Sequence, residues 1–492
     1  MRTDQQLRYT GSQMRHFHWV HSRSSASVLL GFLLWGSSCS KGGAGQDTYP
    51  TDDLGLRDPS TDGGSERPDL RLATDLQGSA PEGKPEWGMS LHNPDPGGSS
   101  VAAGPDGAVY LAGSFSVADF GDGKVTAQGE TDCYLTKLDK NGKRMWTKTF
   151  GAPFADMSTA VTVDRSGNAV ITGYSSGSAL GRSESFIASY ATDGTQRYLK
   201  QFVPLATGQS RAVSATFGDD GTIYATGYFE GSINLGGSDL VSQGSRDIFL
   251  VQLSATGTHL FSKSWGRSAV DSPSSLARLP GGDLLMAGRT SGPVNFGDGE
   301  KGTPVAGDFI ARFSPQGIAR WSTRWSVTAS SLLAAAAPDG SLWLASDFSK
   351  KPIDLGGGPL SSPTGYGLLT AHFSSTGDYL GAFVIPSSQD AYFQSLAVDT
   401  AGHVTLGGFA NGTIDFGFGS TTQANGTAFF FKQSEAGRVL WAHRFGGTRS
   451  DVVQSIAIGA DHHVLAAGTL DENIKLGTVS LTPHSFVVSL TP

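Results

Sequence analysis

Two cysteines in 492 residues leave no room for a disulfide scaffold or for a cysteine-rich zinc or iron–sulfur site. Charged residues make up 16% of the chain, against about 25% in average proteins. No window sustains an i, i+3, i+4, i+7 apolar pattern, so almost no helix is expected. Basic charge is short too: the net charge is −8 and the pI near 5.7, where a nucleic-acid binder would show a basic face or stripe. No HExxH, phosphate loop or EF-hand loop is present. What abounds is glycine, 67 residues, nearly double the usual share of about 7%, a mix that favours turns and strands. The length exceeds one ordinary core of about 100–200 residues, which implies several domains or one large closed or repeated architecture.

The amino terminus reads as an export signal. Arg15 and Arg23 precede a ten-residue apolar run, Ala26 to Trp35, followed by Gly36, Ser37, Ser38 and Cys39. Ten residues cannot cross about 30 Å of hydrocarbon as a helix. The segment resembles a bacterial lipoprotein signal, although Gly36 stands where that family usually has Leu. The resemblance implies that residues 1–39 are a leader whose Cys39 is acylated and begins the mature chain, and that with Ser40 next the protein goes to the outer membrane. An ordinary cleaved signal peptide is the alternative, and Met14 would open a leader of more typical length than Met1. Residues 40–84 hold one aromatic, Tyr49, among many Gly, Pro, Ser, Thr and Asp, and are expected to be a disordered tether.

From residue 85 the chain repeats. VYLAG at Val109 to Gly113 recurs in segments ending at Gly173, Gly227, Gly288, Ser346, Gly408 and Gly468, with spacings of 60, 54, 61, 58, 62 and 60. Such a period marks a repeat architecture. Each period holds four short runs with alternating apolar residues, separated by Asp-Gly or Asn-Gly punctuation, which predicts a four-stranded antiparallel meander. The fourth run carries an aromatic pair on one face: Trp146/Phe150, Tyr198/Phe202, Phe261/Trp265, Trp321/Trp325, Tyr379/Phe383 and Trp441/Phe445. The seventh copy stops after its third run, Ser485 to Leu490, and the missing strand lies at the front, Glu86 to Leu91, with Trp87. That complementarity predicts an all-β, seven-bladed β-propeller over 85–492, closed by its N-terminal strand and so free of exposed sheet edges.

The VYxxG strand, the Asp119-Phe120-Gly121, Asn295-Phe296-Gly297 and Asp415-Phe416-Gly417 segments, and the GxxxWxxxFGG close resemble the bacterial β-propeller repeat family often found in exported lipoproteins. The resemblance covers the whole of 85–492 and speaks to fold, because those residues build blades.

Chemistry is sparse. Gly173-Tyr174-Ser175-Ser176-Gly177 matches GxSxG, but a nucleophile elbow needs a strand–turn–helix setting. His462 and His463 fill a turn where other copies carry Asp and Gly, with no third ligand in range. Cys133 is expected as a small buried hydrophobe. An aspartate recurs in the loop entering five of the seven blades, at Asp95, Asp156, Asp271, Asp390 and Asp451. These form the candidate ligand or cation rim: an acidic mouth for Ca²⁺ or a cationic ligand, or else carboxylates that accept backbone N–H bonds in their own turns. The expected function is a non-enzymatic, lipid-tethered binding or scaffolding module in the bacterial cell envelope, monomeric, with a protein or glycan ligand, no nucleic acid and no catalytic residue. No cofactor is expected beyond Ca²⁺ at that rim. A polysaccharide hydrolase or lyase with its site at the channel mouth is the alternative.

Overall fold

The computed structural model describes residues 83–92, 97–176, 182–205, 208–297, 306–325, 331–349, 351–418, 421–446 and 451–492. All of them fall in one compact unit, Arg67–Pro492. The leader with Cys39, the tether as far as residue 82, and Asp95 lie outside the described residues, while Gly83 at the tether's end is buried.

Among the described residues every regular element is a strand, and the strands pair in antiparallel meanders. The first repeat pairs Gly97–Ala103, Val109–Phe115, Asp132–Leu138 and Arg144–Phe150 in that order. Five sheets have four strands each, and repeats five and six join into one eight-stranded sheet because Ser387 pairs with Ile414. The last sheet takes its outer strand from the front of the chain: Pro85–Leu91 pairs with His484–Leu490, Trp87 opposite Ser489 and Leu91 opposite Ser485. The first strands of successive repeats are neighbours. Gly97–Ala103 lies against Ala155–Val163, and the series continues through Ser210–Phe217, Ser272–Arg278, Leu332–Ala336, Ala391–Val398 and Val452–Ile458, which again touches Gly97–Ala103.

Burial explains one departure from the expected alternation. Val109–Phe115 and Asp132–Leu138 are buried at every residue, since sheets pack on both of their faces, and such strands read as continuous rather than alternating apolar runs. The outer strand Arg144–Phe150 is exposed or half-buried throughout.

Two recurring devices join the repeats. In six of the first strands the register shifts by a bulge, and nearby hydroxyls bond the backbone of an adjacent first strand. Ser100 accepts from Val161 N–H at 3.1 Å, Ser214 from Leu276 at 3.3 Å, Ser275 from Ala334 at 3.2 Å, Ser395 from Ile456 at 2.8 Å and Ser455 from Val101 at 3.0 Å. The second device is aromatic. Each fourth-strand ring lies on a positive-φ turn glycine of the following repeat: Trp87 on Gly142, Trp146 on Gly194, Tyr198 on Gly257, Phe261 on Gly317, Trp321 on Gly377, Phe383 on Gly437 and Trp441 on Gly83. A Cβ at Gly142 would stand 2.5 Å from the Trp87 ring, so glycine is needed there for space as well as for its backbone angle.

Trp87 is half-buried, its indole N–H donating to the Lys140 carbonyl at 2.9 Å. One expectation needs correction. In repeat five the ring on the glycine is Phe383, because Gly381, opposite His372, takes the place that Trp146 takes opposite Lys137. The Tyr379/Phe383 pair is therefore displaced by two residues from its counterparts.

Candidate functional site

Aspartates gather where first strands begin, and the structure places them individually. Asp156, Asp271 and Asp451 are 4%, 0% and 0% exposed. Asp156 Oδ2 accepts the Ala152 N–H at 2.7 Å. The Asp271 oxygens accept from Arg267 and Ser291 N–H, both at 2.8 Å, and Asp451 Oδ1 accepts from Asp471 at 2.7 Å. Each carboxylate thus ties the entering loop or the end of the second strand to the first strand. Burial pushes the Asp156 and Asp271 carboxyls up, while those N–H bonds pull them back. A second set, Asp132 and Asp247, begins third strands: Asp132 accepts from Gln128 at 3.0 Å and Asp247 from Gln243 at 2.9 Å. Asp390 is the exposed member of the predicted rim, and its backbone carbonyl accepts from Asn411. The open acidic mouth needs its oxygens facing solvent, and three of the four described carboxylates are buried against backbone. No three His, Cys, Asp or Glu side chains stand together as a metal site among the described residues.

At the opposite, turn end of the strands, the next-to-last residue of the third strand is polar in every repeat and was missed by a reading tuned to apolar alternation. Lys137 donates to Thr192 Oγ1 at 2.8 Å and lies 3.9 Å from Asp106. Arg312 pairs with Asp283 at 2.8 Å and donates to the Ser375 carbonyl at 2.7 Å. His372 stacks on Trp343 with centroids 4.6 Å apart, bonds Ser341 at 2.9 Å and lies 3.8 Å from Glu435. Lys432 pairs with Asp399 at 3.0 Å, both nearly buried. Lys137, Arg312 and His372 each join the turn of their own repeat to the next repeat. The recurrence of Lys137, Gln252, Arg312, His372 and Lys432 at one offset was the available signal.

A cleft of about 540 Å³ opens at this turn end, between the turns of repeats two and three and the end of the first strand of repeat four. Three of its charges are departures from the repeat. Arg278 stands where the other first strands end in Ala103, Val163, Phe217, Ala336, Val398 or Ile458. Arg165 and Asp219 stand at a turn position that is Pro105, Pro280, Pro338, Thr400 or Ala460 elsewhere. Asp219 bridges the two guanidiniums, 3.7 Å from Arg165 and in hydrogen-bond contact with Arg278. Asp164 and Asp220 are spent on their own turns, Asp164 accepting from Ser166 and Asn168 at 2.8 Å and Asp220 from the Thr222 hydroxyl at 2.7 Å.

A smaller cleft of about 260 Å³ lies at the seam where the N-terminal strand meets repeats one and seven. There His462 takes φ 65°, the left-handed angle that Gly107, Gly167, Gly221, Gly340 and Gly402 hold in other copies. His463 sits 2.9 Å from Glu86 and 3.1 Å from Asp461, so it is engaged with the N-terminal strand rather than only solvated. Cys133 is fully buried, as expected, and burial pushes its thiol up.

No family model matches this chain. An uncharacterized WD repeat-containing protein of Acanthamoeba polyphaga mimivirus is 21% identical over 461 residues, covering 74% of this chain. The chain spans about a third of that protein's length, 32%. Among solved structures, the Neurospora crassa Pan2 WD40 domain is similar at TM-score 0.42 and 8% identity, over 85% of this chain and 98% of that one. YCF48 bound to D1 peptide is similar at TM-score 0.41 and 10% identity, over 86% and 98%.

Proposed function

We infer that the chain is a seven-bladed β-propeller, closed by its N-terminal strand, that acts as a non-enzymatic binding module held to the bacterial outer membrane through lipid on Cys39. Support for closure comes from the first strands, whose neighbours run from the first repeat to the seventh and back, and from Trp441 on Gly83 and Trp87 on Gly142, which make the last two of seven alike contacts. The observation that carries the binding role is the cleft of repeats two to four, where non-repeating charges collect at one place on an otherwise regular scaffold. Converging loops on a rigid scaffold are where binding residues vary without disturbing the fold.

Two measurements test the reading. Mass spectrometry of the native amino terminus is expected to find acylated Cys39, and an unmodified terminus downstream of it overturns the anchor. The full chain, incubated with a panel of cell-envelope glycans and peptides, is expected to bind without turnover. Release of new reducing ends or unsaturated sugars would replace the module reading with a hydrolase or lyase.

A further inference from the structure

We propose that the cleft between repeats two, three and four binds a carboxylate-bearing saccharide, its acid group held by Arg165 and Arg278. This rests on the reading of the chain as a binding module and gives that module a ligand class. The cleft's volume of about 540 Å³ lies within the range of small-ligand sites, about 300–1,000 Å³. Its two guanidiniums already share a carboxylate, that of Asp219, so their spacing suits that planar group. Asp219 is 58% exposed and Arg165 90% exposed, which leaves the pairing open to exchange. Salt bridges so placed contribute little, and a ligand carboxylate can replace Asp219 at small cost.

Donors are left over for it. Arg278 lines the cleft with its side chain 20% exposed. Arg197, also on the wall, is exposed and makes no ion pair among the described residues. Backbone N–H and hydroxyl donors hold Asp164 and Asp220 in their turns but leave their charge in place, so an incoming acid gains its place by exchange with Asp219 and not from a net positive wall. The remaining wall offers the Thr162, Ser166 and Thr216 hydroxyls, which suit a hydroxyl-rich ligand. Of the apolar side chains there, Phe217 is 8% exposed, Val163 is half-buried and Ala255 is small, so a peptide's apolar side chains would find little to bury against. A saccharide is therefore favoured over an acidic peptide.

The test is calorimetric titration of the full chain with a galacturonic acid trimer, a neutral galactose trimer, a glutamate trimer and inorganic phosphate. The uronate trimer is expected to bind at least about tenfold tighter than the other three, weakening with salt. Arg278→Lys keeps the charge but loses the planar fork and is expected to weaken binding about tenfold. Asp219→Asn removes the competing carboxylate and is expected to tighten binding severalfold. The paired variant Arg165→Ala/Arg197→Ala, at solvent-facing positions, is expected to keep the native melting temperature while losing binding. Equal binding of the neutral trimer, tighter binding of the glutamate trimer, equal binding of phosphate, or unchanged affinity in the Arg278→Lys protein each overturns the proposal. Its failure is separable from that of the module reading. If another envelope glycan binds while the uronate trimer does not, only the cleft assignment falls; if the trimer binds and is cleaved, the cleft stands and the non-enzymatic reading falls.

Discussion

The two ends of the strands treat charge in opposite ways. Where first strands begin, aspartate recurs from repeat to repeat, and Asp156, Asp271 and Asp451 are buried with backbone N–H groups on their oxygens. At the turn end, the charges that leave the repeat pattern, Arg165, Asp219 and Arg278, collect around one cleft. In a chain built from copies, a residue that recurs is needed by every copy and so serves the architecture. A residue that departs is released from that duty, and several departures converging in space mark where the molecule has been adapted to something outside itself.

The strongest way to break this comparison is to attack what recurs. Deleting residues 83–91 removes the outer strand of the last sheet together with Gly83 beneath Trp441 and Trp87 above Gly142, leaving an exposed sheet edge. A large drop in melting temperature and loss of a single cooperative transition are expected. Trp87→Ala alone is expected to cost about 2–3 kcal/mol, at or below the low end for aromatic truncation, because the ring is half-buried. Chemical denaturation of the two proteins measures both. A deletion protein that melts with the intact chain would show that the N-terminal strand is dispensable.

Next comes the aspartate clamp. Asp271→Ala leaves the N–H groups of Arg267 and Ser291, both solvent-facing residues, without their acceptor, and losing hydrogen bonds to a charged group costs about 1.5–3 kcal/mol. Asp271→Asn keeps one carbonyl oxygen and is expected to cost less. Calcium is expected to raise the melting temperature no more than magnesium, because the buried carboxylates are already occupied by backbone. A calcium-specific shift that disappears in Asp271→Asn would restore the cation reading of that end.

Much of this was legible in the sequence, and the gaps have physical causes. The sixty-residue period, the four strands per period and the borrowed strand at Glu86 to Leu91 follow from apolar runs and turn residues, which act locally. The aspartates could be found but not assigned, since a carboxylate that accepts its own loop's N–H groups and one that faces an ion have the same spelling. Lys137, Arg312, His372 and Lys432 escaped notice because their partners lie in other turns, up to 63 residues away for Arg312 and Ser375, and no local pattern announces such a bond. Phe383 misled because a ring two residues further along the strand reaches the same glycine.

Titration separates the groups more gently. Burial holds His443 and His372 below the ordinary histidine value of 6.5, so the unfolded chain takes up their protons first. Their contribution to stability is present above about pH 6.5 and is lost as pH falls through the window beneath it. His443 Nε2 meets the Gly83 carbonyl at 2.7 Å, which puts this loss at the junction that the N-terminal strand completes. Asp156, Asp247 and Asp271 act the other way. Burial raises their carboxyls, so the native state binds protons more readily, and the stability their ionisation costs is recovered as pH falls toward the ordinary aspartate value near 3.9. Melting temperatures from pH 7 to pH 5 are expected to fall, and His443→Gln is expected to flatten that slope. An unchanged slope in the variant would remove His443 from the account.

The smallest expected effect is the sharpest control. Asp390 stands one residue before the place that Asp271 fills in its own repeat, a place taken here by the buried Ala391; it is exposed, and its backbone carbonyl is engaged by Asn411. Asp390→Asn is therefore expected to change stability by less than about 0.5 kcal/mol, as surface substitutions away from special features do, while Asp271→Asn in the same assay falls measurably. The two substitutions share their chemistry and fall one residue apart in the repeat frame, so the side of the strand, with the burial and hydrogen bonding it brings, is what separates them. A loss at Asp390 equal to that at Asp271 would mean that an aspartate anywhere in the entering loop, rather than the N–H bonds a buried carboxylate accepts, carries the stabilisation.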